Sequence, residues 1–198
     1  MKFILASGSP RRAKLLKEAG IEFDIVKPEV DEIFDPGLSP AQNAVQVALR
    51  KADWVAVQHP ACLTLAADTI VVLNGEIMGK PEDQKHAREM LGRLSGNEHE
   101  VITGVAMAHI DSRLRWSSFA SSLVRMAEIS PGEIEKYVSG GEPMDKAGAY
   151  AIQGGAGRWV LGHKGSFTNI IGLPMEALKQ AISELGLEIR MEPARCRS

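Results

Sequence analysis

Apolar and polar positions along the chain change period several times, and each change marks a predicted element. Phe3 to Ala6 form an unbroken apolar run of buried-strand length, which the small residues Ser7-Gly8-Ser9 interrupt. Leu15, Leu16 and Ala19 then recur at helical spacing, predicting a helix with Ser9 as N-cap, Pro10 at N1 and Gly20 as its stop. Phe23 to Val26 predict a second strand. From Ser39-Pro40, the residues Ala44, Val45, Ala48, Leu49, Ala52, Val55 and Ala56 repeat at three and four positions, a long helix ending before Pro60. Lys51 falls beside that stripe, where it can point along a cleft wall, although a solvated helical lysine is the commoner case. Leu63 to Leu73 is an apolar β-type run with Asp68 in its middle. Asn74-Gly75 predicts a type I′ hairpin, with Glu76-Ile77-Met78 returning toward Gly79-Lys80-Pro81 and bringing Lys80 back near Asp68.

The second half alternates in the same way. A helix is predicted over Glu82 to Leu94, strands over Val101 to Ala108 and Trp116 to Met126, and a helix from the capping box Ser130-Pro131-Gly132-Glu133 to Gly140-Gly141. From Pro143 to Asn169 glycine is mixed with Asp145, Lys146, Tyr150 and Gln153, a texture that suits either a long loop or backbone shaped to approach a ligand. Pro174 opens the last helix and Gly186 closes it, leaving Leu187 to Met191 as a predicted final strand and a basic tail over residues 192–198.

Composition narrows what these elements can do. A chain of 198 residues can bury its own core, as one domain or as two lobes around a cleft. A net charge of -2 gives no general attraction to a polynucleotide, so no nucleic acid polymer is expected as a partner. Two cysteines, Cys62 and Cys196, make neither a disulfide framework nor a zinc cluster and fit a reducing compartment. The N-terminal apolar run is too short for a signal peptide and no run suits a membrane span, so a soluble, cytoplasmic protein is expected.

Two places carry candidate chemistry. At Ser7 to Arg12, hydroxyls, free N–H groups, a helix N-terminus and the guanidiniums of Arg11 and Arg12 can converge on an anion such as phosphate; an ordinary turn with two solvated arginines has the same sequence. Asp68 would cost several kcal/mol if buried without partners, so it is either hydrogen-bonded or kept for chemistry. The acidic stretch Glu29-Val30-Asp31-Glu32 gains interest only beside a cation, and is otherwise a solvated loop. Other motifs fail: Gly157 and Gly162 have P-loop spacing, but His163-Lys164 stands where Lys-Ser/Thr is required. His59, His86, His99, His109 and His163 lack metal-ligand spacing and read as surface or hydrogen-bonded residues.

Taken in order, Ser7-Gly8-Ser9-Pro10-Arg11-Arg12, Asp31-Glu32, Lys51-Ala52, Asp68-Thr69, Gly79-Lys80-Pro81, Ser95-Gly96 with His99 and Thr103-Gly104, Asp145 to Gly154, and Gly165-Ser166 with Asn169 to Pro174 resemble the Maf family of nucleoside triphosphate pyrophosphatases nearly end to end. The resemblance implies a single Maf-type domain over residues 1–198, an α/β fold with a mixed twisted sheet and flanking helices, and two lobes around a central cleft, similar to inosine-triphosphate pyrophosphatases and often homodimeric. It also implies hydrolysis of a nucleoside triphosphate between the α and β phosphates with Mg²⁺ or Mn²⁺, and a link to septum formation.

On that implication Arg12, Lys51 and Lys80 neutralise phosphate charge, and Ser7, Ser9 and the helix N-terminus donate hydrogen bonds, with Arg11 alongside. Asp68 is the candidate general base or, equally, a metal ligand. Glu32, with Asp31 second to it, is the candidate carboxylate for the metal. Arg12, Thr69 and Gln153 match the dTTP/UTP branch, since a glutamine amide can pair with both a carbonyl and an N–H of a pyrimidine. Gly8 and Phe167 depart from the usual alanine and tyrosine without removing a charge. The alternatives are the 7-methylguanosine triphosphate branch and a nucleotide-binding regulator of cell division.

Overall fold

The structure, a computed structural model, describes residues 2–189. Seven strands form one mixed sheet: β1 (Phe3–Leu5), β2 (Asp24–Ile25), β3 (Leu63–Leu73), β4 (Glu76–Met78), β5 (Glu98–His109), β6 (Leu114–Met126) and β7 (Val160–Lys164). Their order is β2-β1-β3-β5-β6-β7, with β4 paired to β3. β2, β1 and β3 run parallel, and β3, β5, β6 and β7 pair antiparallel. The helices are α1 (Pro10–Glu18), α2 (Pro40–Gln58), α3 (Gln84–Leu94), α4 (Pro131–Ser139), α5 (Phe167–Ile171) and α6 (Met175–Glu184).

Both faces of the central strands are covered, which is why β3 reads as a continuous apolar run. On one face α2 packs Ala48, Ala52 and Val55 against Ala66 and Ala106. On the other, Leu16 of α1 and Leu173 and Leu178 around α6 pack against Leu65, Val105 and Met107. A third cluster seats Met90, Leu91 and Leu94 of α3 and Ile134 and Val138 of α4 against Val71 and Val101. Sheet and helix come close at Gly104, where a Cβ would lie 2.4 Å from the Ala44 carbonyl group of α2.

The neighbours of β3 are uneven along its length, and that places the site. β5 pairs with it from Thr64 to Val72. On the other side β1 covers only Leu63 to Leu65 and β4 only Val71 to Leu73. Between them Asp68 and Thr69 lie on an open strand edge, just past the point where β1 ends and the chain turns into α1.

Several sequence expectations hold closely. Ser39 and Ser130 cap their helices, Ser130 with the expected capping box and Ser39 with one that Gln42 completes, and Asn74 and Gly75 both adopt positive φ, 53° and 83°, as a type I′ turn requires. Others need correction. α3 begins at Gln84 because Asp83 accepts from the His86 N–H at 2.7 Å and caps it. Residues 142–159, whose texture suited either a long loop or backbone shaped to approach a ligand, coil into three short 3₁₀ turns, and β7 and α5 follow where no element was expected. Residues 187–189 are not strand; the rest of the predicted final strand, the basic tail and Cys196 lie outside the described residues.

Candidate active site

The turn after β1 and the open edge of β3 face one cleft of about 370 Å³. Ser7, Ser9, Arg11, Arg12, Glu32, Lys51, Asp68, Thr69, Lys80 and Gln153, drawn from widely separated parts of the sequence, all line it. Asp31 does not; its side chain is exposed outside the lining, so of the acidic stretch only Glu32 reaches the cleft.

Ser9 occupies the N-cap position of α1, as expected, but its hydroxyl makes no cap hydrogen bond; its backbone N–H donates to Ser7 Oγ at 3.2 Å instead. The first turn of α1 therefore lacks a side-chain acceptor for its orphan N–H groups, which suits an anion. Arg12 is held by protein on three sides. Nε donates to the Gly172 carbonyl at 2.7 Å, Nη1 to Ser7 Oγ at 3.1 Å and Nη2 to Thr69 Oγ1 at 3.1 Å. Burial is the main influence on this guanidinium and pulls its pKa down, with Asp68 acting in the opposite sense; an arginine still keeps its charge.

On the α2 side of the sheet the charges form a chain. Lys51 Nζ donates to Asp68 Oδ1 at 2.6 Å and to Glu32 Oε1 at 2.8 Å, and Lys80 Nζ donates to Glu32 Oε2 at 2.6 Å. Lys51, placed by its pattern beside the apolar stripe, is in fact buried on it, at 7% exposure beside Asp68 at 5%. Alternation explains the division of labour: Asp68 faces α2 and Thr69 faces α1, and both reach the cleft because the strand edge beside them is open. Burial tends to raise the pKa of the Glu32 carboxyl, but the Lys51 charge and the hydrogen bonds of Lys51 and Lys80 outweigh it and hold the group at about 2.

Among the described residues no three His, Cys, Asp or Glu side chains gather to cage a metal. What the cleft offers is a pair of carboxylates, Asp68 and Glu32, that converge on one ammonium. Two hard oxygen ligands with phosphate completing the shell is a donor set that suits Mg²⁺ or Mn²⁺.

Some lining residues were given no role by sequence. Lys27 lies with its stem 3.5 Å from where a Gly8 Cβ would stand. Its place follows from the structure, where β1 and β2 pair in parallel and end together, so that Ser7 and Lys27 leave at the same edge. Thr103 and Gly172 stand behind the lining, where they contact Thr69 and Arg12; both fall in stretches that carry the family resemblance, but what they touch follows only from the fold. His99 is of the hydrogen-bonded kind that the sequence allowed: it is buried, and its Nε2 shares a hydrogen bond of 2.6 Å with Tyr150, which lines the cleft.

The family model described as Maf-like protein matches residues 2–185. The chain belongs to the Maf family. Three curated relatives, each named dTTP/UTP pyrophosphatase, show how far the likeness extends. The protein from Symbiobacterium thermophilum is 46% identical over 188 residues, covering 95% of this chain and 96% of the relative. That from Caldicellulosiruptor saccharolyticus is 43% identical, covering 95% and 96%. The one from Clostridioides difficile is 42% identical, covering 90% and 92%. In this Maf-like chain, then, the open-edge cleft lies within a sequence shared over nearly its whole length with those relatives.

Proposed function

We propose that this protein hydrolyses dTTP and UTP to the monophosphate and pyrophosphate, within a single Maf-type domain. The observation that carries the proposal is the run Asp68–Lys51–Glu32–Lys80 facing the Ser7–Arg12 turn across one cleft. The names of the relatives support the substrate, and Gln153 at the exposed rim supplies an amide for a pyrimidine edge.

Each group has a task that its surroundings suit. The α1 N-terminus, Ser7 and Arg12 bind phosphate oxygens, with one N–H on each Nη of Arg12 still free after its protein contacts. Lys80 is half exposed and its pair with Glu32 is worth about 1 kcal/mol or less, so it can exchange that partner for phosphate. Lys51 is buried and serves to hold Asp68 and Glu32 in place. Asp68 keeps Oδ2 free of Lys51, takes the proton of the attacking water, and leaves the α–β phosphoanhydride oxygen to depart with pyrophosphate. A divalent cation held by Glu32 with the phosphates would neutralise charge on the triphosphate, and Asp68 Oδ2 as a second ligand to it is the alternative to Asp68 as base. The net charge of -2 supports a small nucleotide rather than a polynucleotide as partner, and a cytosolic homodimer is the assembly this reading expects.

The test is pyrophosphate release from a panel of UTP, dTTP, CTP, ATP, GTP and 7-methylguanosine triphosphate with Mg²⁺ or Mn²⁺. UTP and dTTP are expected to have the highest kcat/KM. Folded protein that turns over none of them ends the proposal, and a clear preference for 7-methylguanosine triphosphate moves the protein to that branch.

A further inference from the structure

The directions of three consecutive hydrogen bonds behind Arg12 are fixed by chemistry, and they change the role of Thr69. Arg12 has only donors, so Nη2 donates to Thr69 Oγ1, at 3.1 Å. At the far end Thr103 Oγ1 donates to the backbone carbonyl of Asn169 at 3.0 Å, since a carbonyl can only accept. Thr103 has a single hydroxyl proton and has spent it there. The 2.9 Å contact between Thr69 and Thr103 must then be donated by Thr69. Thr69 therefore has no proton left for a phosphate, although it lines the cleft.

The far end of this chain is anchored. Asn169 is fully buried; its Nδ2 donates to the Val101 carbonyl and to Ser122 Oγ, both at 2.9 Å, and its N–H donates to Ser166 Oγ at 3.1 Å. Three residues on, Gly172 turns with φ 119°, which favours glycine, and its carbonyl takes Arg12 Nε at 2.7 Å. Two of the three grips on the guanidinium thus lead back to α5 and its C-cap, one directly and one through two threonines, while the third is Ser7 Oγ.

We infer that Thr103 and Thr69 are positioning residues for Arg12, a two-hydroxyl relay that aims the guanidinium at the phosphates, and that Thr69 is not itself a phosphate donor. This deepens the proposed function and rests on Arg12 being a phosphate ligand. Polyphosphate binding and turnover are therefore read separately. Calorimetry with inorganic tripolyphosphate measures the grip of Arg12, and UTP hydrolysis measures KM and kcat. Thr69→Val and Thr103→Val should each weaken tripolyphosphate binding and raise the KM for UTP by about tenfold, with kcat much less affected. The double variant should be no worse than either single one, because both break the same chain. Thr103→Ser, which restores the hydroxyl, should restore the wild-type KM.

A Thr103→Val protein that binds and turns over like wild type overturns the inference. So does a Thr69→Val effect much larger than that of Thr103→Val and additive with it, which would make Thr69 a direct ligand. If Thr103→Val does not fold, the Arg12 Nε–H resonance provides the test: Thr69→Val should speed its solvent exchange, and unchanged exchange overturns the relay. Wild-type protein that binds tripolyphosphate without hydrolysing UTP counts against the proposed function and leaves the relay standing.

Discussion

Lys51 Nζ lies 2.6 Å from Asp68 Oδ1, with both side chains almost wholly removed from water. A buried pair of this kind is costly to break from one side only, because the survivor keeps its charge and loses its partner. Lys51→Met retains the stem and strands the Asp68 carboxylate, with loss of about 3 kcal/mol of stability expected. Asp68→Asn leaves an amide oxygen that still accepts from Lys51, and Lys51 keeps Glu32. The two variants should therefore separate. Lys51→Met should shift the denaturant midpoint strongly, whereas Asp68→Asn should stay folded, bind UTP and lose about a hundredfold or more in kcat. Equal stability losses for the two would mean that the pair is not the support described.

Lys80 and Lys51 share Glu32 but should behave differently on removal. The Lys80 side chain is 51% exposed against 9% for Lys51. Lys80→Met is expected to change stability by no more than about 1 kcal/mol. Its effect should appear in the KM for UTP, and that KM should become less sensitive to salt than the wild-type value, because a screened cation has been removed. Paired thermal melts and salt titrations of KM check both.

Acid stability depends on Glu32 and has a definite sign. Its carboxyl falls from 4.5 to about 2 in the folded protein, so between those values the unfolded chain binds the proton first. The contribution of Glu32 is present above pH 4.5 and is lost as the pH falls toward 2. Glu32→Gln should be less stable than wild type at neutral pH, with the gap closing across that window. Denaturation midpoints followed from neutral pH downward test it, and a gap that widens on acidification would contradict the assignment.

Chelation should separate chemistry from folding. Asp68 and Glu32 are already neutralised by Lys51 and Lys80, so the fold has no unpaired carboxylate pair waiting for a cation. A chelator should stop UTP hydrolysis and leave the melting temperature unmoved. A large fall in melting temperature would show a structural metal instead.

The sequence made the elements legible where one local rule decided them. Ser39-Pro40 and the Ser130 capping box announced their helices, and Asn74-Gly75 announced its hairpin. Asp68 stood out because a carboxylate in an apolar strand has few cheap explanations. What stayed hidden depended on register and neighbours. Lys51 looked peripheral to its helical stripe because the pattern cannot show that a carboxylate waits across the interface at Asp68. The open edge of β3 follows from how short β1 and β4 are, which no residue type encodes. β7 and α5 were obscured by the surrounding glycines, and Asp31 was paired with Glu32 by adjacency although only one of the two turns inward.

Gly104 gives the most direct check on that geometry. It pairs with Asp68 across the β3–β5 ladder, and a Cβ there would sit 2.4 Å from the carbonyl carbon and oxygen of Ala44 and 2.5 Å from the Val45 nitrogen. All three are backbone atoms of a capped helix, so no side chain can swing aside and α2 must lift. Overpacking of this kind costs about 1–3 kcal/mol where side chains can yield, and the upper end or more is expected here. Lys51 lies two turns along the same helix, so lifting α2 draws its ammonium away from Asp68. Gly104→Ala should then lose stability and activity together, whereas Gly92→Ala, where nothing lies within 4 Å of the new carbon, should lose neither. Denaturation and UTP turnover of the two variants side by side make the comparison, and a Gly104→Ala protein with wild-type kcat would show that the helix does not set the catalytic pair.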